Sequence, residues 1–337
     1  MTTHVKPLIF KVVFRAKGVP IQGIIFKIES KDYYLFNEKG EEVRCSLRGK
    51  FQKEFNLKRD KLYSVDIATV GDKVRFEMNQ DGTGVIEEIL PRTNHISRKA
   101  PRIKGAGARG ERLEQKIAAN IDSLVIVSSC VSPKFNNRAI DRFLVAGESS
   151  HIKCYIIINK IDLDEDETYK EYSALYRSIG YEVVESSVKE NIGAEQLHKI
   201  LDGKVSLVWG HSGVGKSSLL NWIYPHLKLK TGIVSDFSSK GKHTTVTSVM
   251  MNIDEKTKVI DTPGIREIDP YGIREEDLGH FFKDFEEYIN ECKFNTCTHQ
   301  HEPGCAVIKA VEEELINTER YISYLNILDT IEDDMNF

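Results

Sequence analysis

Residues 210–217 read Gly210-His211-Ser212-Gly213-Val214-Gly215-Lys216-Ser217, a complete GxxxxGK[ST] phosphate loop. An apolar run, 205–209, precedes it, and a helix-like run, 218–224, follows. Strand, glycine-rich loop and helix are what a triphosphate needs. Successive backbone N–H groups cradle the phosphates, and the helix N-terminus favours anions. Lys216 neutralises the β and γ oxygens, and the Ser217 hydroxyl is offered to Mg²⁺. Ser218 continues the loop into the helix.

Two further motifs flank this loop in an unusual order. Upstream stands Asn159-Lys160-Ile161-Asp162, an NKxD sequence that closes the apolar run 154–158. A carboxylate at Asp162 accepts hydrogen bonds from guanine N1–H and its 2-amino group. Adenine offers no such pair and would leave the carboxylate desolvated and unmatched. Asn159 and Lys160 support the ring. Downstream stands Asp261-Thr262-Pro263-Gly264, a DxxG sequence in which Asp261 holds Mg²⁺ through water and the Gly264 N–H senses the γ-phosphate. The chain therefore meets base, phosphate and magnesium in that order. Between phosphate loop and DxxG, the stretch 230–247 is polar and rich in Gly, Ser and Lys. Thr244 and Thr245 offer hydroxyls to Mg²⁺ and the γ-phosphate, with His243 beside them. A glutamine often follows DxxG to orient the attacking water. Here that position is Ile265, so His243 is the nearest substitute.

Outward from this core, residues 113–275 alternate apolar strands with amphipathic helices. Such alternation implies a mostly parallel sheet with helices on both faces. Residues 1–90 read instead as five or six short strands with turn signals and no long helix. A small closed barrel of OB type fits that length, and an SH3-like barrel reads similarly. Residues 91–112 carry seven Lys or Arg against one acid, with Pro and Gly interspersed, and read as a flexible basic linker. A second basic stretch runs through Arg44, Arg48, Lys50 and Lys53, with Phe51 and Phe55 among them, and is expected to contact RNA phosphates.

Residues 276–337 read as helical and acidic, with 306–328 as one long charged helix. They contain Cys292-x₄-Cys297-x-His299-x₅-Cys305, with His301 as a competing fourth ligand. Three thiolates and an imidazole make a closed tetrahedral set, which is a structural zinc site rather than a catalytic one. Cys45, Cys130 and Cys154 are isolated and read as reduced buried thiols. A length of 337 residues accommodates two or three domains, and a net charge of −4 confines nucleic-acid contact to local patches. No apolar run is long enough to cross a bilayer and no leader sequence is seen, so a cytoplasmic protein without membrane contact is expected.

Together these residues resemble the bacterial RsgA (YjeQ) family of circularly permuted, small-ribosomal-subunit-dependent GTPases. The resemblance is carried by Arg48-Gly49-Lys50, Ala119-Asn120-Ile121-Asp122, the NKID sequence, the phosphate loop, Gly241-Lys242-His243-Thr244-Thr245, the sequence from Asp261 to Glu267, and Glu302-Pro303-Gly304-Cys305. It implies an N-terminal OB-fold, a permuted P-loop GTPase core and a C-terminal zinc-binding helical domain. It further implies GTP/GDP, Mg²⁺ and one structural Zn²⁺, and a backbone N–H near Ser186 and Ser187 for the guanine carbonyl. It supports His243 as the switch histidine and implies action late in small-subunit assembly, with hydrolysis stimulated by that subunit and its rRNA. Release on hydrolysis and a monomeric state are the accompanying expectations. An RNA-binding scaffold that uses GTP only as a structural ligand is the alternative.

Overall fold

A computed structural model describes residues 21–49, 51, 67–100, 114–229, 248–262, 265 and 268–332. His243, Thr244, Thr245, Gly264, Lys50 and Lys53 lie outside them.

The N-terminal strands close into a barrel. β1 (Ile21–Glu29), β2 (Asp32–Asn37), β3 (Glu42–Leu47), β4 (Lys73–Met78) and β5 (Gly84–Ile89) run in the order β1-β2-β3-β5-β4, and β4 returns to pair with β1. Period-two alternation drives closure: Val43 and Cys45, Val74 and Phe76, and Ile86 turn inward onto Ile25 and Leu35. Five strands in this circular order, with β3 and β5 parallel, decide for the OB barrel.

The barrel is bolted to the core by main chain. β6 (His95–Lys99) pairs antiparallel with β7 (Glu114–Ala119). The stretch expected to be a flexible basic linker thus contains a strand. Its charges are used internally: the Arg92 guanidinium grips the buried Asp72 at 2.6 and 2.8 Å, and Lys99 Nζ donates to the Thr330 carbonyl at 2.9 Å. Ala119 N–H donates to Val70 O, and Asn120 Nδ2 donates to Gly71 O, both at 2.9 Å. Gly71 has φ of +91°, and a Cβ there would stand 2.0 Å from the Ala119 carbonyl oxygen. Only glycine fits that junction.

The core is a six-stranded sheet in the order β10-β9-β8-β11-β13-β12. β8 (Ser123–Ser129), β9 (Lys153–Asn159), β10 (Glu182–Ser186), β11 (Val205–Trp209) and β13 (Lys258–Asp261) are parallel; β12 (Val249–Asn252) is an antiparallel edge that the sequence pattern did not reveal. Helices α1 (Asn137–Ser149), α2 (Tyr169–Ser178), α3 (Ala194–Leu201) and α4 (Lys216–Ile223) cover its faces. Two apolar clusters, one on each side, fill the layers. The continuous apolar strands β8 and β9 are buried throughout apart from the first residue of β9, as two-sided burial requires.

The C-terminal region begins with two short helices, α5 (Glu275–Leu278) and α6 (Glu286–Ile289). The single helix expected at 306–328 is two: α7 (Ala306–Glu312) and α8 (Thr318–Glu332). The break has a local cause. Glu314 adopts φ of +59°, Leu315 and Ile316 N–H close back on Ala310 O, and Asn317 Oδ1 accepts from Glu319 and Arg320 N–H to start α8. Helix α8 lies along α1. Arg320, 1% exposed, is held by Asp141 of α1 and by Asp284 at 2.6 Å. No described helix is long and apolar enough to cross a membrane.

Candidate functional site

The strand order brings the C-terminal ends of β9, β10, β11 and β13 to one edge of the sheet. Asn159 ends β9, Ser186 ends β10, Gly210 follows β11 and Asp261 ends β13. Parallel α/β sheets bind ligands at this edge. The three motifs, scattered over a hundred residues, converge there because strand neighbours are kept while the chain order is rotated.

The base end is hydrogen-bonded throughout. Asn159 Nδ2 donates to the Val214 carbonyl of the phosphate loop at 2.8 Å. Asn159 Oδ1 accepts from Ser186 Oγ at 3.1 Å, so both ends of the amide are committed. Lys160, at φ of +64°, turns the chain out of the strand, and its Nζ donates to Ser132 O at 2.7 Å. Asp162 sits on the single turn Ile161–Leu163, where Ser187 Oγ donates to its Oδ1 at 2.6 Å. Lys189 Nζ stands 4.0 Å from the other oxygen. The Ser187 N–H already donates to Ile192 O at 3.0 Å. The Ser187 hydroxyl thus holds the Asp162 carboxylate in one orientation, a contact that the sequence did not reveal.

The phosphate end is differently built. Gly215, at φ of +99°, starts α4, and a Cβ there would stand 2.4 Å from Asn159 Nδ2. The glycine thus lets loop and base motif touch. Lys216 Nζ donates to the carbonyls of its own loop, Gly210 O at 2.5 Å and His211 O at 3.2 Å. Burial pushes the Lys216 ammonium below its usual range, with Asp261 opposing that shift. Burial likewise raises the Asp261 carboxyl, against the pull of Lys216 and of the Thr262 N–H at 2.9 Å. Burial thus shifts both groups towards their neutral forms, and each is the other's opposing charge. Ile265 is buried in the core, so its side chain does not face the nucleotide edge.

The Cys/His knot also assembles. Ligand atoms of Cys292, Cys297, His299 and Cys305 lie within 4.8 Å of one another. Cys292 Sγ and Cys305 Sγ are 3.9 Å apart, and His299 Nδ1 is 3.3 Å from Cys305 Sγ and 3.6 Å from Cys292 Sγ. A zinc–sulfur bond of about 2.3 Å sets tetrahedral edges of about 3.8 Å, so the donor set fits zinc. Burial holds the His299 imidazole down at about 4, neutral and fit to coordinate. The alternative ligand His301 is exposed. The knot is tied from both sides. Glu302 accepts from Thr298 N, Thr298 Oγ1, Gln300 N and His301 N at 2.6–3.2 Å. From α8, Tyr321 and Tyr324 hydroxyls donate to the carbonyls of His299 and Thr298, each at 2.7 Å.

On the barrel, Arg44 pairs with Asp32 at 2.7 Å and Arg48 with Glu87 at 2.5 Å. The basic stretch is thus partly neutralised by its own surface.

With this geometry in hand, comparison with known proteins is direct. The RsgA GTPase family profile matches residues 89–271, and the RsgA N-terminal domain profile matches 22–86. The chain is 37% identical over 316 residues to the "Small ribosomal subunit biogenesis GTPase RsgA 2" of Bacteroides thetaiotaomicron, covering 93% of this chain and 98% of that one. It is 38% identical to the protein of the same function name from Phocaeicola vulgatus, with the same coverage. Among solved structures it is similar to YjeQ from Thermotoga maritima: TM-score 0.70, 33% identity, covering 93% of this chain and 99% of that one. YloQ, described as a circularly permuted GTPase, aligns with a TM-score of 0.66 at 31% identity, covering 95% and 97%.

Proposed function

We propose, from the premise that this chain belongs to the RsgA GTPase family, that it binds and hydrolyses GTP while attached to the small ribosomal subunit, late in that subunit's maturation. The observation that carries this reading is the Asn159–Val214 hydrogen bond. It joins the guanine-reading motif to a phosphate loop that lies after it in sequence, so the rotated chain forms one continuous nucleotide site.

Each residue then has a part. Asp162, oriented by Ser187, accepts the two guanine N–H groups. Lys216 exchanges the loop carbonyls for β and γ oxygens. Ser217, Asp261 and Thr245 hold magnesium, which when bound neutralises charge on those oxygens. Gly264 senses the γ-phosphate. His243 orients the attacking water, a task that Ile265 cannot perform.

Arg44, Arg48, Lys50 and Lys53 meet rRNA phosphates. Arg44 can exchange its partly exposed partner Asp32 for phosphate readily, whereas Arg48 would have to leave the mostly buried Glu87. The zinc knot, fixed to the core through α8, provides a second docking surface. Stimulation of turnover by the small subunit, release on hydrolysis, a monomeric state and a cytoplasmic location complete the proposal.

The decisive measurement is GTP turnover with isolated small subunits, with large subunits and with none. Stimulation by small subunits alone is expected; equal rates in all three sink the proposal. The burial of Ile265 favours a second reading, a GTP-dependent rRNA-binding scaffold without essential hydrolysis. A His243→Ala variant that binds GTP but does not hydrolyse it separates the two. Trapping on the subunit supports the enzyme, and normal release supports the scaffold.

A further inference from the structure

Trp209 is one of two tryptophans in the chain and the last residue of β11, immediately before the phosphate loop. It is 2% exposed, yet it carries a polar atom that needs a partner. The indole Nε1–H donates to the carbonyl of Ile265 at 2.7 Å. The ring is held flat against Phe143 of α1, centroids 3.6 Å apart and planes 22° apart. Its other neighbour is His211 of the phosphate loop, edge-on at 5.3 Å.

Val208 is the ladder partner of Asp261, where the DxxG segment begins. Trp209 holds Ile265, the residue that directly follows that segment. Two consecutive residues of the strand that launches the phosphate loop therefore fix both ends of the γ-phosphate sensor, with three residues, 262–264, between the anchors. The Ile265 side chain is itself buried, so its carbonyl has little freedom once the indole bond forms.

We propose that Trp209 is a positioning residue for the nucleotide reaction: its indole N–H pins the far end of the DxxG segment and so favours the triphosphate-bound protein over the diphosphate-bound one. The inference rests on the GTPase reading above. Its physical basis is differential. Only a nucleotide with a γ-phosphate engages the sensor, so only that nucleotide gains when the sensor is ordered in advance. A tryptophan that merely fills the core would support both nucleotides equally.

The test uses the full chain with GDP and a non-hydrolysable GTP analogue. Trp209→benzothienylalanine replaces the N–H with sulfur and keeps the shape; Trp209→Phe keeps the stack on Phe143 and also lacks the donor. In both variants, affinity for the GTP analogue is expected to fall about three- to tenfold, the size of one lost hydrogen bond, with GDP affinity changing by less than about twofold. Melting temperature is followed separately, since loss of packing moves it without moving the ratio. A GTP-to-GDP affinity ratio that stays at the wild-type value in both variants overturns the proposal. Independently, Trp222→Phe leaves Trp209 as the sole indole. Its emission is expected to differ between the two nucleotides, and identical spectra count against the role. Wild-type protein that binds neither nucleotide removes the GTPase reading itself, whereas normal binding with an unchanged ratio removes only the role of Trp209.

Discussion

The base end and the phosphate end of the nucleotide site share one sheet edge but are built on opposite principles. At the base end, Asn159, Asp162, Ser186 and Ser187 satisfy one another at 2.6–3.1 Å and hold Asp162 oriented. At the phosphate end, burial lowers the Lys216 pKa and raises that of Asp261, and Lys216 leans on its own loop. The first region is preorganised for recognition. The second holds partly desolvated charge, which under the proposed function a magnesium-bound triphosphate would relieve. Preorganisation gives specificity at small entropic cost, whereas unrelieved charge makes binding conditional on the ligand's own charge.

The largest effect that sharpens this contrast is expected at Lys216. Lys216→Ala removes the charge that the β and γ oxygens require, and calorimetry should show GTP affinity reduced about a hundredfold to a thousandfold. Retained affinity would mean that the phosphate end contributes little. Next, Asp162→Asn exchanges an acceptor pair for one acceptor and one donor. GTP affinity is expected to drop about a hundredfold while XTP binding rises, read by competition between the two nucleotides. Equal losses for both would show that the base end does not read the base.

A smaller effect separates the two ends by pH. Burial raises the Asp261 pKa, so as pH falls the carboxylate needed for magnesium is lost at a higher pH than for an exposed aspartate. As pH is lowered through that raised pKa, magnesium-dependent GDP affinity of the wild type is expected to weaken, by up to about tenfold for each pH unit below it. Asp261→Asn should bind more weakly throughout and with a flatter profile, so that the nucleotide's own titration cancels in the comparison. Parallel profiles for the two proteins would sink this assignment. The smallest effect belongs to Ser187→Ala. Without its orienting hydroxyl, Asp162 should lose about three- to tenfold in affinity, equally for GDP and GTP, because the loss lies at the base end. Unequal losses would break the division into two ends.

The two ends were not equally legible. GxxxxGKS, NKxD and DxxG can be read directly because the chemistry demands fixed residue types at fixed local spacing, and the same holds for the Cys/His knot. Barrel strands were legible from alternation. The long-range partners were not. Nothing in the sequence marks Trp209 as the donor to Ile265, Ser187 as the orienter of Asp162 or Arg320 as the buried link to Asp141, since each pair is separated by 25 to 179 residues. The acidic partners of the basic residues were hidden for the same reason: Arg92, Arg44 and Arg48 meet Asp72, Asp32 and Glu87, which are close only after folding.

The sequence alone therefore determined the ligand classes, the rotated motif order and the residue types that do the chemistry, because local spacing encodes local geometry. The tertiary structure alone decided which neighbours orient those residues, that His299 rather than His301 faces the thiols, and that one strand, β11, pairs with Asp261 and holds the Ile265 carbonyl through Trp209. Those outcomes depend on which strands and helices become adjacent, and adjacency is set by packing of the whole core rather than by any short run of residues.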